Sequence, residues 1–342
     1  MLTEQNPKHP GYTLVTGNTQ SVVINKLMFD ISSMQYVMHG EAVQLPNTGL
    51  IRNYTFAHVA GGMLLVGTQS GEICIFDVAS NIYRASMPVT SNGLLCGAVD
   101  GDNLYVGGGD GKLKKLSMQN GQWQLTHEAQ LDSKVMSVNL SNDCKELICG
   151  TAGGKLYRVL TNDLSFLLHS DAHTGVIMDV AFGADSDKFV SIDDNGALKL
   201  WDLSDYKCLF TGHPNKAAKG VSVAFAKDDG TVMSGWSDGF LRCFVPVQGQ
   251  GQIWEIANAT RGSITTVYAD SNYILTGGQD GAVRVWGRQT RQLLIQFNGK
   301  PFKFSLISPL FRPKEGHRFR LPRRETAQYD PLVLDGPICM LV

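Results

Sequence analysis

Between residues 46 and 299 the chain is written in short alternating runs of apolar and polar residues, each broken by a glycine-bearing turn. In one stretch VIMDVAF (176–182), DKFVSI (187–192), ALKLWDL (197–203) and KCLFTG (207–212) follow one another with a few turn residues between them. Alternation at period two predicts half-buried strands, and runs this short with tight connections predict antiparallel hairpins. A helical reading fails, because glycine pairs recur inside every candidate segment.

The four-strand pattern repeats. Turn glycines stand at Gly71, Gly111, Gly154, Gly196, Gly239 and Gly281, with gaps of 40, 43, 42, 43 and 42 residues. Five positions after each stands an apolar residue: Phe76, Leu116, Val159, Trp201, Phe244 and Trp286. Asp-Gly and Asn-Gly turns supply the positive φ angles of a tight hairpin, and the residue that follows is expected on a buried face. One such sheet would leave both faces uncovered, so the units must stack radially. A period of about 40–45 residues with these turns is that of four-stranded propeller blades. The expected fold is therefore all-β, a WD40-type β-propeller of six to seven blades, either incomplete or part of a two-propeller architecture.

The boundaries follow the rhythm. Residues 1–17 are a polar arm without a period. Residues 18–45 read as half a blade, with SVVINKLMFDISSMQYVM (21–38) forming two strands around a turn at Ser32 and Ser33. Residues 46–299 hold six blades. Residues 300–342 form a basic, proline-containing tail, in which no partner strands for the half blade are read.

Composition narrows the function. Thirty basic against thirty-one acidic residues give a net charge of −1, which argues against whole-chain binding to nucleic acid or an anionic membrane. No apolar run reaches the length of a membrane span, and MLTEQNPKHPGYTLV has neither the basic nor the apolar region of a secretory leader. Seven dispersed cysteines without a C-x-x-C pair are expected to be small core residues in a reducing compartment. The cytoplasm or its cytoskeleton is the expected location.

WD-type blades share a polar set of His, Ser or Thr, Asp and Trp that satisfies polar groups inside the blade. The candidates here are His173, Ser191 and Trp201, with Asn195 at the Asp position; His213, Ser234 and Asp238, with Phe244 for Trp; and Thr276, Asp280 and Trp286. All are expected to be structural. GGGDGK (107–112) lacks the Ser/Thr and helix of a phosphate loop, and Asp185, Asp187, Asp193 and Asp194 lack the spacing of a calcium loop. With no nucleophile elbow, zinc spacing or metalloprotease motif, no enzyme activity, cofactor or metal is expected. In the tail, Lys314, Arg318, Arg320, Arg323 and Arg324 are candidates for docking on an acidic surface. Cys339 with the three residues after it resembles a short prenylation box ending in the unusual Val342.

SGWSDGFLRCF (234–244) followed by ILTGGQDGAVRVW (274–286) resembles consecutive blades of the cilia- and flagella-associated protein 52 family, also called WD-repeat protein 16. GTAGGKLYRV (150–159), DAH (171–173) and DVAF (179–182) resemble the preceding blades in the same order, and LLVGTQSGEI (64–73) an earlier region. The resemblance implies a non-enzymatic structural protein of the axoneme of motile cilia and flagella. Members of the family line the lumen of doublet microtubules near the inner junction, against tubulin and other luminal proteins. The chain departs from the family by supplying about six and a half units where members have roughly twice as many. The rival expectation is a soluble WD-repeat adaptor or scaffold acting outside cilia.

Overall fold

A computed structural model describes residues 52–298 apart from 172, 215–216, 227–229 and 247–248, together with 12–17, 22–30, 32, 35–43, 306–309 and 338–341. Three strands open the chain: β1 (Tyr12–Gly17), β2 (Val22–Asp30) and β3 (Gln35–Ala42), an antiparallel sheet in the order β1-β2-β3. Six four-stranded sheets follow. The first is β4 (Tyr54–Ala60), β5 (Met63–Thr68), β6 (Glu72–Asp77) and β7 (Ile82–Pro88); the second β8 (Leu94–Asp100), β9 (Asn103–Gly108), β10 (Lys112–Gln119) and β11 (Gln122–Gln130). The third is β12 (Val135–Leu140), β13 (Glu146–Thr151), β14 (Leu156–Leu160) and β15 (Phe166–Ser170); the fourth β16 (Ile177–Phe182), β17 (Lys188–Asp193), β18 (Leu198–Asp202) and β19 (Cys208–Gly212). The fifth is β20 (Gly220–Phe225), β21 (Val232–Trp236), β22 (Leu241–Val245) and β23 (Gln250–Ile256); the sixth β24 (Ile264–Ala269), β25 (Tyr273–Gly278), β26 (Ala282–Gly287) and β27 (Leu293–Asn298). A last hairpin pairs β28 (Leu306–Pro309) with β29 (Ile338–Leu341).

The first strands of the six sheets lie side by side in chain order, from β4 to β24. β28 lies between β24 and β4, and β29 lies against β1. The inner strands thus run round a complete circle, and segments from both ends of the chain share its seventh sector. The six repeats read from the sequence are six propeller blades, and no α-helix occurs among the described residues. Sequence pattern offered no strand at 12–17 or past residue 299. These strands are only four to six residues long; β28 finds β29 across a long connection, and their packing on β4 and β1 joins opposite ends of the chain, so neither period nor local turn chemistry marks them.

The core lies between blades rather than within one. Phe76, Leu116, Val159, Trp201 and Phe244 are all at most 1% exposed, each wedged against a neighbouring sheet. Val190, Ile192, Leu198 and Leu200 of the fourth blade meet Val223, Val232, Trp236 and Phe244 of the fifth. Val22, Ile24 and Val43 of the opening sheet pack in the same way on Tyr54, Leu64 and Phe76 of the first blade. Close approach needs glycine on the second strands. A Cβ at Gly150 would collide with Ile177, and one at Gly235 with Ile264, each from the next blade's inner strand. At the turns Gly239 has φ 78°, and a Cβ there would meet backbone oxygens of Thr260 and Gly262 at 2.6 Å, so both hairpin and packing exclude a side chain.

Candidate functional site

The chemistry-bearing side chains lie inside blades, and their arrangement differs from blade to blade. In the fourth, His173 is held between Asp193 Oδ2, 2.8 Å from Nδ1, and Ser191 Oγ, 2.6 Å from Nε2. Trp201 Nε1 donates to the same hydroxyl at 2.7 Å. Neither the His173 nor the Asp193 side chain has any exposed surface. Burial pushes the Asp193 carboxyl up, but His173 and the amides of Ala197 and Asn195 hold it below its ordinary value. The acid of this set is thus Asp193, at the end of β17, and not position 195. Asn195 instead donates from its side chain to Thr174 Oγ1. Position 195 lies on the exposed turn, whereas Asp193 is buried at the strand end.

The fifth blade is rewired. His213 does not join Ser234 or Asp238; its Nδ1 lies 3.2 Å from the Gly196 carbonyl. Ser234 accepts from Trp236 Nε1 at 2.8 Å and donates to the Arg242 carbonyl at 3.1 Å. Trp236 therefore does from the second strand what Trp201 does from the third, and Phe244 fills the vacated apolar position beside it, with ring centroids 6.3 Å apart. Asp238 forms a bidentate pair with Arg242, at 3.0 and 2.6 Å. The Arg242 side chain is fully buried, also bonds Glu255 through Nε, and stacks over the Trp236 and Phe240 rings at 5.3 and 4.9 Å. In the sixth blade Trp286 donates to Thr276 at 2.9 Å, while Asp280 pairs with Arg284. Burial pushes the Asp280 carboxyl up, and Arg284 with the Arg261 and Ala282 amides holds it below the usual range.

The pairing of these arginines with the turn aspartates carries a signal in the sequence. Turn Asp, Gly, any residue, Leu or Val, then Arg or Lys recurs at 110–114, 238–242 and 280–284. The hairpin brings the first and last side chains of that phrase together. In the second blade Lys114 is 3.8 Å from Asp110 and also reaches the Val89 carbonyl.

Between blades, polar groups on the inner strands cross-link the ring. Asp179 accepts from Ser222 Oγ and the Val223 amide, and Ser222 Oγ accepts from the Val267 amide. Burial pushes the Asp179 carboxyl up to about 6, against the pull of those donors. His58 of the first blade lies 2.8 Å from the Gly97 carbonyl of the second, and burial lowers its pKa to about 4.

Among the described residues no group of three or more His, Cys, Asp and Glu side chains is placed to hold a metal ion. Lys314, Arg318, Arg320, Arg323 and Arg324 lie outside the described residues. Cys339 stands in β29 with its backbone opposite Ser308.

Comparison with known proteins places these features. The family described as WD domain, G-beta repeat matches residues 165–202 and 253–287. These are the two stretches ending in the tryptophans that donate to Ser191 and Thr276 from a third strand. Cilia- and flagella-associated protein 52 of Sus scrofa is 26% identical over 239 residues, 67% of this chain and 37% of its own length. The protein of that name from Chlamydomonas reinhardtii is 30% identical over 207 residues, 59% of this chain and 33% of its own. The 66 kDa stress protein of Physarum polycephalum is 22% identical over 302 residues, 83% of this chain and 49% of its own. The chain spans about a third of the length of the first two. It is a WD-repeat propeller protein with a partial-length match to the cilia- and flagella-associated protein 52 family.

Proposed function

We propose that the chain is a non-enzymatic structural WD-repeat protein of motile cilia and flagella, working as a microtubule inner protein of axonemal doublets. Its partners are tubulin and other luminal proteins near the inner junction. One observation carries this reading: the alignments to relatives named for cilia and flagella extend from mammals to an alga and take in about three-fifths or more of the chain. Physical form supports it. A ring of blades braced internally by buried ion pairs and joined by cross-blade hydrogen bonds is a rigid body offering several faces. Inside the blades His173 is engaged with Asp193, Arg242 with Asp238 and Glu255, and Asp280 with Arg284. Lys314, Arg318, Arg320, Arg323 and Arg324 add a basic segment complementary to an acidic surface such as that of tubulin.

The test is fractionation of motile-ciliated cells carrying the protein tagged at its own locus. The protein should stay with the pelleted axoneme through detergent and high salt. A diffuse cytoplasmic signal with full release by detergent would instead indicate a soluble adaptor.

A further inference from the structure

The outer strand β15 is unlike the outer strands of the other blades. It is the edge of its sheet, with β14 on one side and, among the described residues, no strand on the other. Sheet edges are ordinarily guarded by charge. β7 carries Arg84, β11 carries Glu128 and β23 carries Glu255, while β19 and β27 carry no charge, but each of these five strands exposes only one large apolar side chain. β15 has no charged residue and exposes three apolar residues in a row: Phe166 at 40%, Leu167 at 63% and Leu168 at 48%. Leu160, 40% exposed at the end of β14, lies next to them across the hairpin.

We propose that β15 receives, as a fifth strand, an extended apolar segment of another protein bracketed by basic residues. The bracketing follows from the two ends of the strand. Asp171 directly follows the strand and Asp163 lies in the turn before it, and both are exposed. Asp163 uses one carboxylate oxygen, Oδ1, to accept from the Ser165 amide and hydroxyl, and these bonds hold it charged, below its ordinary pKa. A second copy of the chain is a poor occupant. Antiparallel pairing of β15 with a second copy brings the Asp163 end of one chain beside the Asp171 end of the other, and like charges brought together are destabilising. The area agrees: the four exposed side chains, shared between the two faces of the edge, offer on the order of 300 Å² of apolar surface, well short of the ~800 Å² each partner gives a stable dimer. A segment that adds main-chain hydrogen bonds along the edge and places Lys or Arg beside Asp163 and Asp171 meets both constraints. The inference holds whether or not the protein resides in the axoneme.

The experiment uses the full chain and a fluorescent nine-residue peptide of alternating valine and threonine with lysine at both ends. A second peptide has glutamate at both ends. Anisotropy should show binding of the lysine-ended peptide, at least tenfold weaker binding of the glutamate-ended one, and weakening with salt. Leu167→Lys should abolish binding, and Asp171→Asn should reduce it several-fold. Both positions are exposed, and an unchanged melting curve shows that each variant is folded. Equal binding of the two peptides, binding of neither, or full binding to L167K overturns the proposal. So does a dimer in size exclusion that L167K dissociates, which would make the occupant a second copy.

Discussion

His58 makes the ring sensitive to acid, and the size of the effect follows from its surroundings. The side chain is 2% exposed, packs on the Phe56 ring at 5.7 Å and has its Nε2 against the Gly97 carbonyl. Nδ1 has no hydrogen-bond partner, so protonation would bury a charge with one acceptor. The folded pKa is about 4, below the ~6.5 of the unfolded chain. The unfolded state therefore takes up the proton first on acidification. The contribution of His58 to stability is fully present above pH 6.5 and falls away as the pH drops from there towards 4. Linkage gives a loss of about 2 kcal/mol between pH 7 and pH 5, and about 3 kcal/mol by pH 4. His58→Phe removes the titration while keeping an aromatic ring beside Phe56. At pH 7 the variant loses the bond to Gly97 O, a cost of about 1–2 kcal/mol. Urea unfolding of both proteins at pH 7, 6 and 5 is the assay. The gap between them should close, and by pH 5 the variant should equal or exceed the parent. A gap that stays constant across that range would refute the reasoning, whatever other groups such as His169 contribute to both.

Three further outcomes test the polar networks and the packing. Ser191→Ala strips a buried partner from both His173 and Trp201 and should cost about 2–4 kcal/mol in chemical denaturation, while Thr174→Ala at the exposed turn should change little. Asp238→Ala leaves the fully buried Arg242 with Glu255 alone and should cost about 3 kcal/mol; replacing Arg242 by Met in the same chain should recover part of that loss. Gly235→Val drives a side chain into Ile264 of the next blade and should lower the unfolding midpoint by the equivalent of about 1–3 kcal/mol, whereas Gly251→Val on the exposed edge strand β23, where a Cβ meets nothing within 4 Å, should lower it less.

The repeat was legible because a tight turn leaves chemistry in the sequence: Gly71, Gly111, Gly154, Gly196, Gly239 and Gly281 all have positive φ and keep their spacing. Trp201 and Trp286 were legible for the same reason, being placed by the hairpin at a fixed distance from those glycines. Partners across a blade were harder to read. Asp193 replaces Asn195 because the hydrogen bond depends on which side chain faces inward at the strand end, which residue counting does not reveal. Trp236 reaches Ser234 because residues two apart on a strand share a face, a pairing hidden when only third-strand tryptophans are sought. The closure of the circle was invisible because β28, β29 and β1 come from opposite ends of the chain and are too short to show a period.

Crosslinking mass spectrometry on intact doublet microtubules from motile cilia tests the central claim most directly. The account predicts crosslinks from lysines of this chain, such as Lys134, Lys155 and Lys314, to tubulin peptides of the luminal face, surviving salt extraction of the outer surface. Crosslinks confined to soluble complexes, or absence of the chain from salt-washed doublets, would contradict it.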